Sequence, residues 1–281
     1  MRFGVYVPNF GDYSDPRRLV SLAREAEAAG WHGFFVYDHI VGDARRWRPG
    51  DGIVDPWVVL SAIAAATDRI RLGPLVTALA RRRPWKVARE LVSLDHLSGG
   101  RVVFGVGLGG EAAFDSFGED PDARVRAEKL DEALELICQF WTGGSVHHDG
   151  PHFHVHRVEF LPRPMQSPRI PIWVAGVWPS RPPFRRAARW DGVFPLTRTS
   201  PLPTPSQIRE IRAYISKHRT ATAAFDFIVG GGTATPSQCD AVVASADAGA
   251  TWWLEWLVPD RGTFEEMRAR VLAGPPAIDT V

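Results

Sequence analysis

The stretch RRRPWKVARELVSLDHLSGGRVVFGVGLGG, residues 81–110, reads as one full step of an α/β repeat. Pro84 suits the first position of a helix, where its missing N–H would be unbonded anyway and its fixed φ is already helical. The pair Gly99-Gly100 closes that helix at 98, because glycine accepts the left-handed conformation that ends a helix. A β-branched and aromatic run, 101–107, follows at once and reads as a buried strand that ends in glycines.

The same helix–strand step recurs in both directions along the chain. Strands are expected at 2–8, 33–37, 70–76, 101–107, 171–176, 191–195, 224–230 and 250–257. Helices are expected at 15–29, 54–67, 84–98, along the 127–141 periodicity, and at 181–190, 204–218, 236–247 and 262–272. Asp55-Pro56 gives the second helix a capped start, and Ala127, Leu130, Leu134, Ile137 and Trp141 recur at helical spacing in the fourth. Eight strands alternating with eight helices require parallel neighbours, since each crossover is a helix. That count predicts a (βα)8 TIM barrel formed by one domain, 1–281, rather than an open doubly wound sheet. A hairpin insertion at 145–160, turning at Asp149-Gly150, follows the fourth βα unit.

Composition narrows the function classes. With 33 basic and 32 acidic residues the net charge is +1, so no strong field invites nucleic acid or an anionic membrane. The longest apolar stretch, 57–66, is too short to span a bilayer, and the opening MRFGVYVPNF lacks a signal-peptide pattern, so a cytoplasmic protein is expected. Cys138 and Cys239 form no redox or metal motif, and Cys138 reads as a small core residue.

A barrel gathers its chemistry at the C-terminal ends of its strands. Strand 33–37 ends there in Asp38-His39, a titratable pair where turn residues are the norm. An imidazole titrates near neutrality and suits proton transfer; an ion pair capping a loop is the structural alternative. In the last strand Trp252, Leu254 and Trp256 share one face, and Trp253, Glu255 and Leu257 the other. An unpaired charge facing the helices would be costly, so Glu255 is expected either to line the substrate pocket or to pair with an arginine. Five of the nine histidines, at 147, 148, 152, 154 and 156, crowd the hairpin. Their spacing fits no zinc pattern, so a solvated hairpin and no metal site are expected.

Several motifs together resemble the bacterial-luciferase-like superfamily of flavin- and deazaflavin-dependent oxidoreductases. They are FGVYVPNF (3–10), FFVYDHI (34–40), ATDRIRLGPLVT (66–77), the opening stretch 81–110, PRIPIWVAGVWPSRPPFRRAARWDGVFP (168–195) and GATWWLEW (249–256). The resemblance implies a luciferase-like barrel and hydride transfer between coenzyme F420, a deazaflavin, and a small organic substrate. His39 would then lie over the redox ring and Asp38 would orient it or bond the coenzyme. A backbone bulge with a cis Leu75–Val76 bond, followed by Thr77, would support the back of the ring. Gly107 and Gly109 would let that ring approach the backbone. Glu111, one glycine out of register with the family's glutamate, is a second candidate acid or base. Gly176, Ser180 and Arg181 would hold the phosphate at a helix start, although the prolines at 179, 182 and 183 depart from the family's glycine-rich loop. The resemblance also implies a homodimer through the apolar helix PWVVLSAIAAAT (56–67).

Two other functions compete with the F420 reading. One is an FMN-dependent monooxygenase using reduced flavin and oxygen. Luciferase-type FMN enzymes carry a phosphate-binding arginine where this sequence has Leu108, which favours F420. The other is a non-catalytic flavin-binding member, against which His39 and the glycine-rich mouth argue.

Overall fold

In the computed structural model, residues 1–41, 50–198 and 202–278 are described; of the loop 38–48, expected from its place after the second strand to help form the barrel mouth, 42–48 lie outside them. The elements run β1 (Arg2–Val7), α1 (Pro16–Ala28), β2 (Gly33–Val36), α2 (Pro56–Ala66), β3 (Arg71–Pro74), β4 (Thr77–Ala78), α3 (Pro84–Ser98) and β5 (Phe104–Gly107). Then come α4 (Ala112–Asp115), α5 (Ala123–Trp141), β6 (Ser145–Asp149), β7 (His154–Glu159), β8 (Ile172–Trp178) and α6 (Pro182–Ala187). The chain continues through β9 (Gly192–Thr197), α7 (Pro205–Ser216), β10 (Asp226–Gly231), α8 (Asp240–Asp247), β11 (Trp252–Trp256) and α9 (Phe264–Leu272).

All pairings in the main sheet are parallel, in the order β3-β2-β1-β11-β10-β9-β8-β5-β4. The two ends of that order, β3 and β4, are halves of one strand interrupted at Leu75-Val76. The sheet therefore meets itself, with β3 on β2 and β4 on β5, and Leu72 also bridges Val102. This is the expected (βα)8 barrel. β6 and β7 form the expected antiparallel hairpin after α5.

The helix starts follow their sequence signals. The Asp55 carboxylate accepts the Trp57 and Val58 N–H groups at 2.8 and 3.0 Å, and Asp122 accepts those of Arg124 and Val125 at 2.7 and 3.1 Å. Gly99, at φ +66°, ends α3.

Alternation along each strand sorts the core into two layers. Tyr6, Phe35, Leu75, Val103, Trp173, Trp252 and Leu254 fill the barrel interior, where the Trp173 and Trp252 rings meet edge to face at 5.3 Å. Val5, Phe34, Val36, Val106 and Trp253 belong to the larger layer under the helices. Among the described residues, no helix is long and apolar enough to cross a membrane.

Candidate active site

The parity of β2 separates the two residues of the opening pair. Phe35 and Tyr37 point into the barrel, and His39 continues their side. Its ring stacks on Phe10, with centroids 5.6 Å apart and planes at 20°, and lies 5.5 Å from Tyr37. Phe34 and Val36 point outward, and Asp38 continues that side. Its side chain is completely buried. Arg81 Nη2 donates to Asp38 Oδ1 at 3.2 Å, and Arg82 Nη2 donates to both carboxylate oxygens at 2.9 and 3.0 Å. Trp57 Nε1 donates to Oδ2 at 3.4 Å, and Arg82 stacks over the Trp57 ring at 5.3 Å. Burial pushes the Arg81 guanidinium below its ordinary range, and the Asp38 charge opposes that shift. Of the readings open to Asp38, the structure shows the ion pair: both of its oxygens are engaged, and it ties the loop after β2 to the loop after β4.

His39 is also held through its backbone. Asn9, fully buried at the end of β1, donates from Nδ2 to the carbonyls of His39 and Val54 at 2.8 and 2.7 Å. Its Oδ1 accepts the His39 N–H at 3.3 Å. Sequence reasoning gave Asn9 no role. A short amide side chain next to Pro8, where a strand reaches the mouth, was the available signal.

Beside this corner the Leu75–Val76 peptide is cis, as the resemblance implied, and β3 breaks there before resuming at Thr77. The neighbouring strand accommodates the bulge only because its inward positions are glycines. A Cβ on Gly105 would stand 2.5 Å from the Pro74 carbonyl oxygen, and one on Gly107 would stand 2.9 Å from Val76 Cγ2. Gly107 contributes no side chain there, and the Val76 side chain packs into the space one would take. Thr77 is fully buried and its hydroxyl has no hydrogen-bond partner among the described residues. Leu108 packs against the outer core layer. Gly109, at φ +75°, has its carbonyl held by Arg126 Nη1 at 2.9 Å.

The remaining expected residues lie elsewhere. Glu111 is exposed at the start of α4 and its side chain caps nothing. Gly176 is buried, and a Cβ there would meet Pro183 Cβ at 2.5 Å, so it serves the packing of α6 on β8. Ser180 is exposed. The Arg181 guanidinium lies over Trp178 and Tyr214, 4.0 and 4.8 Å from their ring centres, a cation–π position that competes with the phosphate contact expected of it. Glu255 is fully buried on the outward face, not in the pocket. It accepts from Arg261 at 2.7 Å, from the Thr233 N–H and hydroxyl at 2.8 and 2.9 Å, and from Trp253 Nε1 at 3.3 Å, with Arg270 at 3.9 Å. The arginine pairing, rather than the pocket wall, is what Glu255 does; its carboxylate is fully used in joining β11 to α9. The histidine-rich hairpin is tied down more than expected. Glu132 on α5 pairs with His148 Nε2 at 2.8 Å and accepts the His152 and Phe153 N–H groups at 3.0 and 2.9 Å.

The description "luciferase-like monooxygenase" belongs to a family model that matches residues 1–271. The chain belongs to this family. Among curated proteins, an uncharacterized protein, y4wF, from Sinorhizobium fredii is 34% identical over 172 residues, covering 61% of this chain and 46% of the relative. The F420-dependent hydroxymycolic acid dehydrogenase of Mycobacterium tuberculosis is 34% identical over 168 residues, covering 58% of this chain and 44% of the relative. The chain thus spans about half the length of the curated relatives it matches. Among solved structures, the coenzyme F420-dependent tetrahydromethanopterin reductase of Methanopyrus kandleri superposes with a TM-score of 0.76, at 18% identity over 97% of both chains. This last likeness bears on the fold alone. Within the family's barrel, the mouth of this chain is formed by His39 with its aromatic neighbours on one side and the Leu75–Val76 bulge on the other.

Proposed function

We propose that the protein is an oxidoreductase that uses coenzyme F420 to pass a hydride to or from a small organic substrate. The observation that carries this reading is the cis Leu75–Val76 bulge seated against Gly105 and Gly107, next to a histidine stacked on Phe10. These residues fit a flat deazaflavin: no side chain on Gly107 obstructs the bulge, and the buried Thr77 hydroxyl is a hydrogen-bonding group without a protein partner among the described residues. The F420-dependent activity in the name of the mycobacterial relative supports the same reading. When bound, the deazaflavin supplies a ring carbon that accepts or releases hydride.

The chain's own residues supply the rest. Val76 and Thr77 would back the ring, and Gly107 and Gly109 would allow it close. His39, fixed by Asn9 through its backbone and by Phe10 through its ring, accepts or returns a proton on the substrate oxygen as the hydride moves. Tyr6, Tyr37, Phe194 and Trp256 pack around the same end of the barrel and exclude water from the reacting atoms. FMN is the competing coenzyme. Leu108 argues against it, because it is a half-buried apolar side chain packed against the outer core layer and offers no cation to a phosphate. Side-by-side fluorescence titrations with F420 and FMN test the assignment: tighter binding of F420 is expected, and tighter binding of FMN would move the protein to the monooxygenase reading.

The working form is proposed to be a homodimer. Val58, Ala62 and Ala65 make an exposed apolar strip on α2, with Val58 68% exposed although its neighbours Trp57 and Val59 are buried.

A further inference from the structure

A second concavity opens beside the mouth, between the loop after β4, the α4 segment, the first turns of α5 and the histidine-rich hairpin. It encloses about 320 Å³. Its walls carry Arg81, Arg82, Arg83, Arg126, Lys129 and His152. The opposing carboxylates are Glu119 and Asp120 in the wall, and Asp38, which holds Arg81 and Arg82 from behind. Five permanent positive charges against three negative ones leave an excess of two. Glu128 lies 3.6 Å from His152 Nε2 and is also bonded to Arg124.

Several of these cations are not consumed by the fold. Arg83, Arg126 and Lys129 form no ion pair among the described residues. Arg126 is 7% exposed, yet its Nε has no hydrogen-bond partner among the described residues, and the same holds for the buried Nε of Arg82. A buried guanidinium N–H without an acceptor is unfavourable unless something else supplies one. The cleft also shares a wall with the mouth. Arg126 holds the Gly109 carbonyl, and a Cβ on Gly109 would stand 3.1 Å from Phe114, which lines the cleft. A molecule with its ring against Gly107 and a chain passing Gly109 is led into the cationic cleft.

We propose that this cleft is an anion subsite for the acidic tail of the deazaflavin coenzyme, binding its phosphate or glutamyl carboxylates. The proposal rests on the F420 reading above. Planar guanidinium groups match phosphate and carboxylate oxygens, and Lys129 adds a point charge.

The test compares F420 with its tail-less chromophore, which lacks phosphate and glutamates, on the wild type and on an Arg83→Gln/Lys129→Met double variant. Both substitutions change exposed or half-buried side chains without ion pairs, so folding is spared. Removing these two cationic groups should weaken F420 about ten- to a hundredfold and flatten its salt dependence, with the tail-less chromophore unaffected. Equal affinity of the two ligands for the wild type, or an unchanged ratio in the variant, would overturn the subsite while leaving the coenzyme reading in place. Failure of both ligands to bind the wild type would overturn the coenzyme reading and the subsite together. Inorganic pyrophosphate supplies a further arm. If it raises the melting temperature of the wild type but not the variant, with no tail effect in either, the cleft serves a substrate's anionic group and the tail assignment falls.

Discussion

Replacing Asp38 and His39 one at a time should give opposite phenotypes, although the residues are adjacent. Asp38→Asn keeps the shape and removes the charge. The deleted carboxylate is completely buried, and its partners Arg81 and Arg82 have side chains only 6% and 19% exposed. Removing one member of a buried charge cluster leaves the others uncompensated, at a cost of about 3–5 kcal/mol. For a domain of this size each kcal/mol lowers the melting temperature by roughly 2–4 °C, so a fall on the order of 6–20 °C is expected. His39→Asn removes a partly exposed ring stacked on Phe10 and should move the melting temperature by only a few degrees. It should instead slow single-turnover hydride transfer by roughly 10²- to 10⁴-fold if the imidazole moves the substrate proton. The assay is a melting curve, an F420 titration and a single-turnover trace on each variant. An Asp38→Asn protein that melts like the wild type but loses F420 would refute the assignment of Asp38 to the loop anchor. A His39→Asn protein with normal turnover would remove His39 from the chemistry and leave Glu111 as the remaining candidate acid or base.

Asn9→Ala should uncouple His39 from β1, because three hydrogen bonds to the loop backbone disappear and two half-buried carbonyls lose their donor. A loss of about 1–3 kcal/mol in stability is expected, together with a larger fall in turnover than in F420 affinity; unchanged turnover would contradict the positioning role. Glu27 gives the fold an acid-sensitive contact. Burial alone would raise its carboxyl, but the N–H groups of Ile70, Arg69 and Asp68 outweigh that and hold it below its ordinary 4.5. Its contribution is therefore fully present above pH 4.5 and is lost as pH falls through the depressed value, so Glu27→Gln should be less stable than the wild type at neutral pH and converge with it in acid. A constant difference between the two across that range would count against the linkage. Val58→Asp should shift sedimentation from dimer to monomer at micromolar concentration, and a variant that stays dimeric would place the interface elsewhere.

The barrel was legible in the sequence because its signals are local and repeated: Asp55-Pro56, Pro84, Gly99 and the strand runs between them. The Leu75–Val76 break was legible only through resemblance, since nothing in ATDRIRLGPLVT by itself separates a bulge from a straight strand. Parity explains why Glu255 and Asp38 meet arginines rather than the barrel interior. Alternation put Glu255 on the face of Trp253 and Leu257, but a strand with tryptophans on both faces does not reveal which face meets the helices. The answer lay in Arg261, Arg270 and Thr233, which approach only in the folded chain. Asp38 follows the same rule: its neighbours Phe34 and Val36 point outward, and Arg81 and Arg82 reach it from more than forty residues away. Pro8-Asn9 marked where a strand reaches the mouth, but the bonds Asn9 makes were not legible, because its partners His39 and Val54 are distant in sequence.

The most direct test of the central claim is a crystal structure of the protein with bound F420, read for the placement of the ring relative to the Leu75–Val76 bond and His39. The ring's back is expected against Val76 and Gly107, with the His39 imidazole on the open face within about 3 Å of a substrate or solvent oxygen over the hydride-bearing carbon. A ring bound away from that bulge, or with His39 beyond reach of its reacting face, would contradict it.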